Sequence, residues 1–303
     1  MNNKSVSILI TTKNRLTDLQ FTLSKIQHLL NRNDVECLIC DDGSTDGTSA
    51  FLQINYPKIR LSRNPVSKGL IYSRNNLLNQ VNTDYAISID DDLHFITEEP
   101  IELIESHFKN NINCALIGFR IFWSLEAPNS TISKENPIAM QSFAGGANVW
   151  RMSAWRDIPN YPDWFIFYGE EDFAAYQLFK KKWEIHYLPE VLVHHRVDLK
   201  SRKKNADYRL RLRRSLRSGW YLCFMFYPLR RIPRLFVYSL WVQIRNKTFR
   251  GDWMATISIV QALFDIVLNF PKIVRQSNRL SNLEYKKYLK LENTKIYWKP
   301  ENE

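Results

Sequence analysis

The sequence predicts an α/β protein: a doubly wound, mostly parallel sheet flanked by helices, followed by a helical C-terminal extension. Three observations predict it. Strand, loop and helix patterns alternate three times within the first 90 of the 303 residues, as right-handed βαβ units do. Each early strand-like run ends in a polar cluster, so these clusters gather along one edge of the sheet, where open α/β sheets hold ligands. The charge also changes along the chain: residues 1–200 carry a net −4 and residues 201–303 a net +15. That asymmetry argues for a near-neutral catalytic part and a basic part that meets something anionic. The expected organisation is a domain at 1–200, in two halves (about 1–95 and about 96–200), then a helical, basic, aromatic-rich region at 201–303.

Val6–Ile10 reads as the first strand. It runs into Thr11-Thr-Lys-Asn-Arg15, a polar loop without glycine, which counts against a dinucleotide fingerprint or a P-loop. Thr17-Asp-Leu-Gln20 has the spacing of a capping box, with Leu19, Leu23, Ile26 and Leu30 at helical intervals. Val35–Cys40, a second strand, stops at Asp41-Asp-Gly-Ser-Thr-Asp46. A third, Ile59–Ser62, leads through Ser67-Lys-Gly69 to a helix at Leu70–Gln80 carrying Arg74. The fourth, Tyr85–Ile89, ends in Asp90, Asp91 and Asp92. A helix near Pro100 and a strand at Cys114–Phe119 follow, then a polar loop at Ser124–Asn136. Ser142–Val149, with Gly145 and Gly146, reads as a second cleft wall. Trp164–Tyr168 is a bulky run before Gly169-Glu-Glu-Asp172, which opens a helix to about Lys182. Strand-like Ile185–Leu188 and Val191–Arg196 close this part.

A chain of this length buries a substantial core, and a hydrophobic content of 45% with 24% charged residues is ordinary for a folded soluble protein. No secretory signal is expected at Met1-Asn-Asn-Lys4. Cys37 and Cys40 fall on one strand, where residues three apart face opposite sides, so the four cysteines are expected as reduced thiols. The most apolar runs, Trp220–Leu229, Leu235–Ile244 and Ile257–Phe270, are shorter than the roughly 20 residues that span a bilayer. In the last hundred residues 17 of the 40 aromatics are interleaved with arginines. This is the pattern of amphipathic helices in an anionic headgroup layer. The expected location is cytoplasmic, peripheral on the inner face of the membrane.

Three adjacent carboxylates after a buried strand repel one another and suit a divalent cation. Asp90 and Asp92, two apart in extended backbone, face the same way. With these residues in place the chain resembles a family 2 glycosyltransferase of the GT-A fold, bacterial cell-surface polysaccharide type, over about residues 4–198. Ser5–Arg15 resembles the opening strand and loop, and Cys40–Asp46 the nucleotide-binding turn. Ser67-Lys-Gly69 with Arg74-Asn75 resembles the segment facing the diphosphate. Ile89–Asp92 resembles the Asp-x-Asp motif, Gly169–Asp172 the Glu-Asp motif, and Leu188–His195 the closing strand and histidine.

The resemblance implies that Asp41 accepts the imide N–H of uracil or thymine, with Thr11, Asn14 and Arg15 around it. It implies that Lys68 and Arg74 meet the diphosphate, and that Asp90 and Asp91 belong to the donor site. Mg2+ or Mn2+ would be held by Asp90, Asp92 and His195. Glu171 or Asp172 would be the general base on an acceptor hydroxyl; the sequence leaves the two open. Gly145, Gly146, Asn148 and Trp164 fall on the acceptor side. The implied activity is inverting transfer of a hexosyl or deoxyhexosyl group from a UDP- or dTDP-sugar to a glycan or lipid-linked acceptor. UDP and dTDP present the same imide edge. Lys13 and Gln177 depart from the family's frequent residues. Two alternatives carry different chemistry. A nucleotidylyltransferase would want a glycine-rich loop after the first strand. A nucleic-acid-binding protein using the basic tail would leave the acidic strand ends unexplained, and no nucleic-acid partner is expected.

Overall fold

A computed structural model describes residues 4–198 and 207–300. Its first half is the expected βα alternation. Strands β1 (Val6–Thr12), β2 (Val35–Asp41), β3 (Arg60–Arg63) and β4 (Tyr85–Asp90) lie parallel in the order β3-β2-β1-β4. Helices α1 (Leu16–Lys25), α2 (Gln27–Leu30), α3 (Thr48–Asn55) and α4 (Leu70–Leu78) connect them. Strand alternation builds two cores at once. Ile8, Ile10, Cys37 and Ile39 enter the core on one face, and Leu9, Leu38 and Cys40 the core on the other. Cys37 and Cys40 are therefore free, buried and on opposite sides of the sheet, as the spacing requires.

The second half mixes directions. β5 (Leu93–Phe95), α5 (Pro100–Asn110), β6 (Cys114–Trp123), β7 (Ile138–Ala139), β8 (Ala147–Arg151), α6 (Met152–Arg156), α7 (Glu170–Lys180) and β9 (Glu184–His195) follow. The sheet continues β4-β8-β6-β9-β5, with β8 antiparallel to both neighbours and β6 parallel to β9. Thus the mostly parallel expectation holds for the first half, β1 to β4, while antiparallel β5, β7 and β8 turn the remainder into a mixed sheet. β8 emerges where the sequence suggested only a cleft wall; Ala147 and Val149 fill one core while Trp150 fills the other. The two runs before His195 are one strand. Its pairing with β6 jumps from Phe119–Leu188 to Arg120–Leu192, so Pro189, which has no N–H to give, sits in a bulge.

Helix α1 starts at Leu16, so Thr17 lies inside the helix and the expected capping box does not form. Instead Asp46 Oδ2, from the loop after β2, accepts the Leu16 N–H at 3.0 Å. This ties the first two strand-end loops together.

The C-terminal region is helical, with α8 (Tyr208–Phe226), α9 (Ile232–Asn246), α10 (Trp253–Arg275) and α11 (Asn282–Tyr288). It shares a core with the sheet: Trp220, Phe226, Ile259 and Tyr288 belong to the same apolar cluster as Leu9 and Trp150. Beyond α11 the chain returns along the sheet rim, where Trp298 N–H bonds Ile121 O at 2.9 Å and Trp123 Nε1 bonds Ile296 O at 2.8 Å. The apolar run Ile257–Phe270 proves to be part of a 23-residue helix, α10, which is long and apolar enough to cross a membrane by length and composition. This corrects the expectation drawn from the shorter run.

Candidate active site

The strand ends assemble the acid triplet with cations from distant segments. Arg15, in the loop after β1, reaches Asp91 Oδ1 at 3.1 Å and Asp92 Oδ2 at 2.8 Å. Arg74, on α4, bridges Asp90 Oδ1 at 2.9 Å and Glu170 Oε1 at 3.0 Å. β5 pairs antiparallel with β9 so that Leu93 opposes His195, and this carries the imidazole to the triplet. His195 Nε2 stands 2.9 Å from Asp92 Oδ1. The pair meets the distance of an ion pair but not the alignment of a hydrogen bond: Asp92 Oδ1 and His195 Nδ1 are buried without hydrogen-bond partners. Trp123 packs on the imidazole at 4.0 Å between ring centres.

The electrostatics follow from this pairing. Burial disfavours the Asp92 carboxylate, yet His195 and Arg15 outweigh it and hold its pKa down to about 2. Burial wins at Asp91, where it raises the pKa to about 7 against the pull of Arg15.

Ligand atoms of Asp90, Asp92 and His195 all lie within 4.8 Å of one another. An ion with bonds of 2.0–2.1 Å sets trans ligands about 4.2 Å apart. The set therefore fits a divalent metal after a small contraction, and the orphaned Asp92 Oδ1 supplies an acceptor that such an ion would satisfy. Gly146 keeps the place open, since a Cβ there would stand 2.8 Å from Asp90 Oδ2 and 3.6 Å from His195 Cε1.

Two cavities meet at this rim. One, of about 710 Å³, is lined by Thr11, Lys13, Arg15, Lys68, Asp91 and Asp92 among others. The second, of about 580 Å³, is lined by Gly145, Gly146, Glu171, Asp172, Ser142 and Tyr297 among others. Asp90 and His195 belong to both walls. Both volumes are in the range of small-molecule sites.

The acids at the start of α7 divide by direction. Glu170 is buried on Arg74. Glu171 points at the glycine pair: a Cβ on Gly145 would overlap Glu171 Oε1 and come within 2.8 Å of Arg74 Nη1. Burial, then the charge of Glu170, raises the Glu171 pKa well above the ordinary range, and Arg74 works against them. Asp172 lies on the other side, by Ser142 and the rings of Tyr176, Tyr227 and Tyr288, and burial raises its pKa too. Both residues line the second cavity, Glu171 half-buried and Asp172 exposed, although protein atoms crowd the two carboxyl groups.

Several expected site residues have other work. Asp41 is fully buried; its oxygens accept Ser44 N–H at 2.7 Å and the Ser49 hydroxyl, so it shapes the turn instead of facing a base. Asp42, its neighbour, lines the donor-side cavity and fastens the Ser67–Gly69 backbone. Asn14, at φ +51°, is spent on Thr45. Arg74 lines the second cavity with its guanidinium engaged by Asp90 and Glu170, so it positions acids and does not reach into the donor side. Asn148 is buried and braces the carbonyls of Ala144 and Gly145. Trp164 packs against Phe165 and Tyr221 and bonds Gln276, outside both cavities.

The sequence reading missed what the C-terminal region contributes. Arg211 and Arg214 of α8 line the donor-side cavity, and Thr294, Ile296 and Tyr297 line the other. A signal existed for the arginines. Arg211 and Arg214 are three apart and share a helix face, while Arg213 and Arg217, four apart, face Asp265 of α10.

The mixed sheet flanked by helices matches the GT-A fold of solved glycosyltransferase structures. Residues 7–150, just under half of the chain, match the model for glycosyl transferase family 2. No curated protein sequence matches the chain. Among solved structures, the mannosyltransferase PcManGT from Pyrobaculum calidifontis, in complex with GDP-Man and Mn2+, has a TM-score of 0.54 at 14% identity, covering 88% of this chain and 76% of that one. GalNAc-T7 with UDP, GalNAc and Mn2+ has a TM-score of 0.53 at 13% identity over 69% of this chain. The match spans about half, 48%, of the GalNAc-T7 chain. S. aureus TarS 1–349 with UDP-GlcNAc gives 0.51 at 15% identity, covering 72% and 66%. At such identities the likeness establishes the fold.

Proposed function

We propose that the chain is an inverting, divalent-metal-dependent glycosyltransferase that moves a sugar from a nucleoside diphosphate to a hydroxyl of a glycan or lipid-linked acceptor in cell-surface polysaccharide biosynthesis. The observation that carries the reading is the wall shared by the two cavities: Asp90 and His195 face both, with cations on one side and Glu171 on the other. The donor diphosphate would lie against Lys13, Lys68, Arg211 and Arg214, whose charges match it. A metal held by Asp90, Asp92 and His195 would stabilise the negative charge that grows on the leaving diphosphate.

Glu171 is the base we assign, because it faces the rim while Asp172 faces the tyrosines. The acceptor oxygen attacks the anomeric carbon as Glu171 takes its proton. The bond from that carbon to the diphosphate oxygen breaks, and its electron pair leaves with the nucleotide. Attack and departure on opposite faces invert the anomeric centre. With Asp41 enclosed, the base must be read by side chains that face the cavity, so UDP-, dTDP- and GDP-sugars all belong in the test. Calorimetry with each donor and Mn2+ should show metal-dependent binding of at least one, abolished in Asp92→Ala. Binding that is indifferent to metal and to Asp92 would overturn the assignment.

The setting we propose is the inner membrane surface. α10 turns Ala255, Ser258, Ile259, Ala262 and Asp265 inward, while Phe264, Val267 and Leu268 are 67–72% exposed. Tyr238 and Trp241 of α9 are exposed as well, beside a shallow groove lined by Arg230, Arg231 and Arg234. Apolar side chains next to arginines suit an anionic headgroup layer. Asp265, paired with Arg213 at the middle of α10, favours a helix lying in that layer over one crossing it.

A further inference from the structure

The end of the sheet opposite the acid triplet holds a second convergence of metal-binding side chains. His107 comes from the last turn of α5, Cys114 opens β6, and His186 lies near the start of β9. Their ligand atoms all lie within 4.8 Å of one another. We propose that His107, Cys114 and His186 form a second metal site, taking Zn2+ through two imidazole nitrogens and one thiolate, with water at the fourth position.

Three features support it. The donor set is softer than the Asp-Asp-His set at the rim, and thiolate with imidazole suits zinc where carboxylates suit magnesium or manganese. Glu184 Oε2 lies 2.9 Å from His186 Nε2. A ligating histidine is held this way, giving its outer N–H to a carboxylate and aiming its other nitrogen at the metal. The approach is also suitable: Cys114 is fully buried beneath the imidazoles, whereas His107 is partly exposed and the Glu184 side chain about half exposed.

The competing account is a hydrogen-bonded relay without metal, since His107 Nε2 and His186 Nδ1 are 2.9 Å apart. That relay engages both rings but gives the buried Cys114 thiol only backbone partners, the 3.4 Å bond to Leu116 O among them. On binding, the ion would displace the thiol proton to solvent, and the proton shared between the rings would move to His107 Nδ1 as the ion takes its place as the link. The consequence is a clamp from the end of α5 to the starts of β6 and β9, remote from sugar transfer.

Cobalt substitution tests this on the full chain in an Asp92→Ala background, which disables the rim site. After chelator treatment, one equivalent of Co2+ should produce a thiolate-to-cobalt charge-transfer band and the intense visible bands of tetrahedral cobalt. Zn2+ should bleach them, and Mn2+ should produce neither. Cys114→Ser should remove the charge-transfer band. Should that variant fail to fold, His107→Gln, at the partly exposed position, must lose the tetrahedral bands and the Zn2+-dependent rise in Tm. Absence of a charge-transfer band, or one that persists in Cys114→Ser, refutes the site and leaves the relay.

Discussion

As the proposed base, Glu171 would have its strength set by its surroundings: burial and Glu170 hold its proton on, and Arg74 draws it off. A raised pKa has a defined sign for catalysis. The base works deprotonated, so kcat/KM should fall as pH drops below that pKa and level off above it. Glu171→Gln should remove the acid limb and lower kcat by about 10²–10⁴, the usual worth of a general base, while Asp172→Asn keeps both. A profile unchanged in Glu171→Gln but lost in Asp172→Asn would reverse the assignment. Charge at the end of a buried strand is expensive, and that made the triplet legible in the sequence, whereas His195 and the open choice between Glu171 and Asp172 came from the family resemblance. Asp41 and Asp42 show where legibility stops. They are adjacent and chemically identical, and only the path of the turn decides that one is enclosed and the other faces the cavity.

Elements matter here chiefly through how closely they approach. The backbone of Gly145 and Gly146 runs against Glu171, Arg74 and Asp90, with no room for a methyl group. Gly145→Ala should shift the Glu171 carboxylate by about 1 Å and lower kcat by about 10²-fold. Overpacking should cost about 1–3 kcal/mol in urea unfolding; activity within twofold of wild type would show the base lies elsewhere. The segment before α7 is also constrained: Ile166 and Tyr168 take φ near +70°, a region a β-branched residue adopts only under strain. Phe167, between them, lines both cavities. Helix α8 is held to α7 by Phe226, fully buried and stacked on Tyr176 at 4.8 Å. Phe226→Ala should destabilise by about 3–5 kcal/mol and weaken donor binding through Arg211 and Arg214. Strand β8 escaped the sequence reading because its residues Ala147–Arg151 follow two glycines and are too few to show a period. Its place is fixed by β4 and β6, which lie far away in the chain.

At the scale of the molecule, basic side chains described in the C-terminal region fall into three settings that a net charge cannot separate. Arg211 and Arg214 face the donor cavity, Arg213 and Arg217 neutralise Asp265 inside the helical layer, and Arg230, Arg231 and Arg234 lie beside exposed apolar side chains. For the proposed membrane contact the last group is the available one, since it lies away from both cavities, although Arg231 also bonds Asn282 and stacks over Tyr285. The purified chain should therefore co-sediment with vesicles containing phosphatidylserine and far less with neutral ones, and rising salt should release it. Each arginine near an anionic surface contributes about 1 kcal/mol. Replacing Arg230, Arg231 and Arg234 together by glutamine should then weaken partition on the order of a hundredfold, leaving hydrolysis of a soluble donor unchanged. Phe264→Asp with Val267→Asp should weaken it as well, because those rings and methyls need the acyl boundary. Equal binding to neutral and anionic vesicles would rule out the arginines as the contact. Binding unaffected by the α10 substitutions would mean that its exposed face covers something other than lipid.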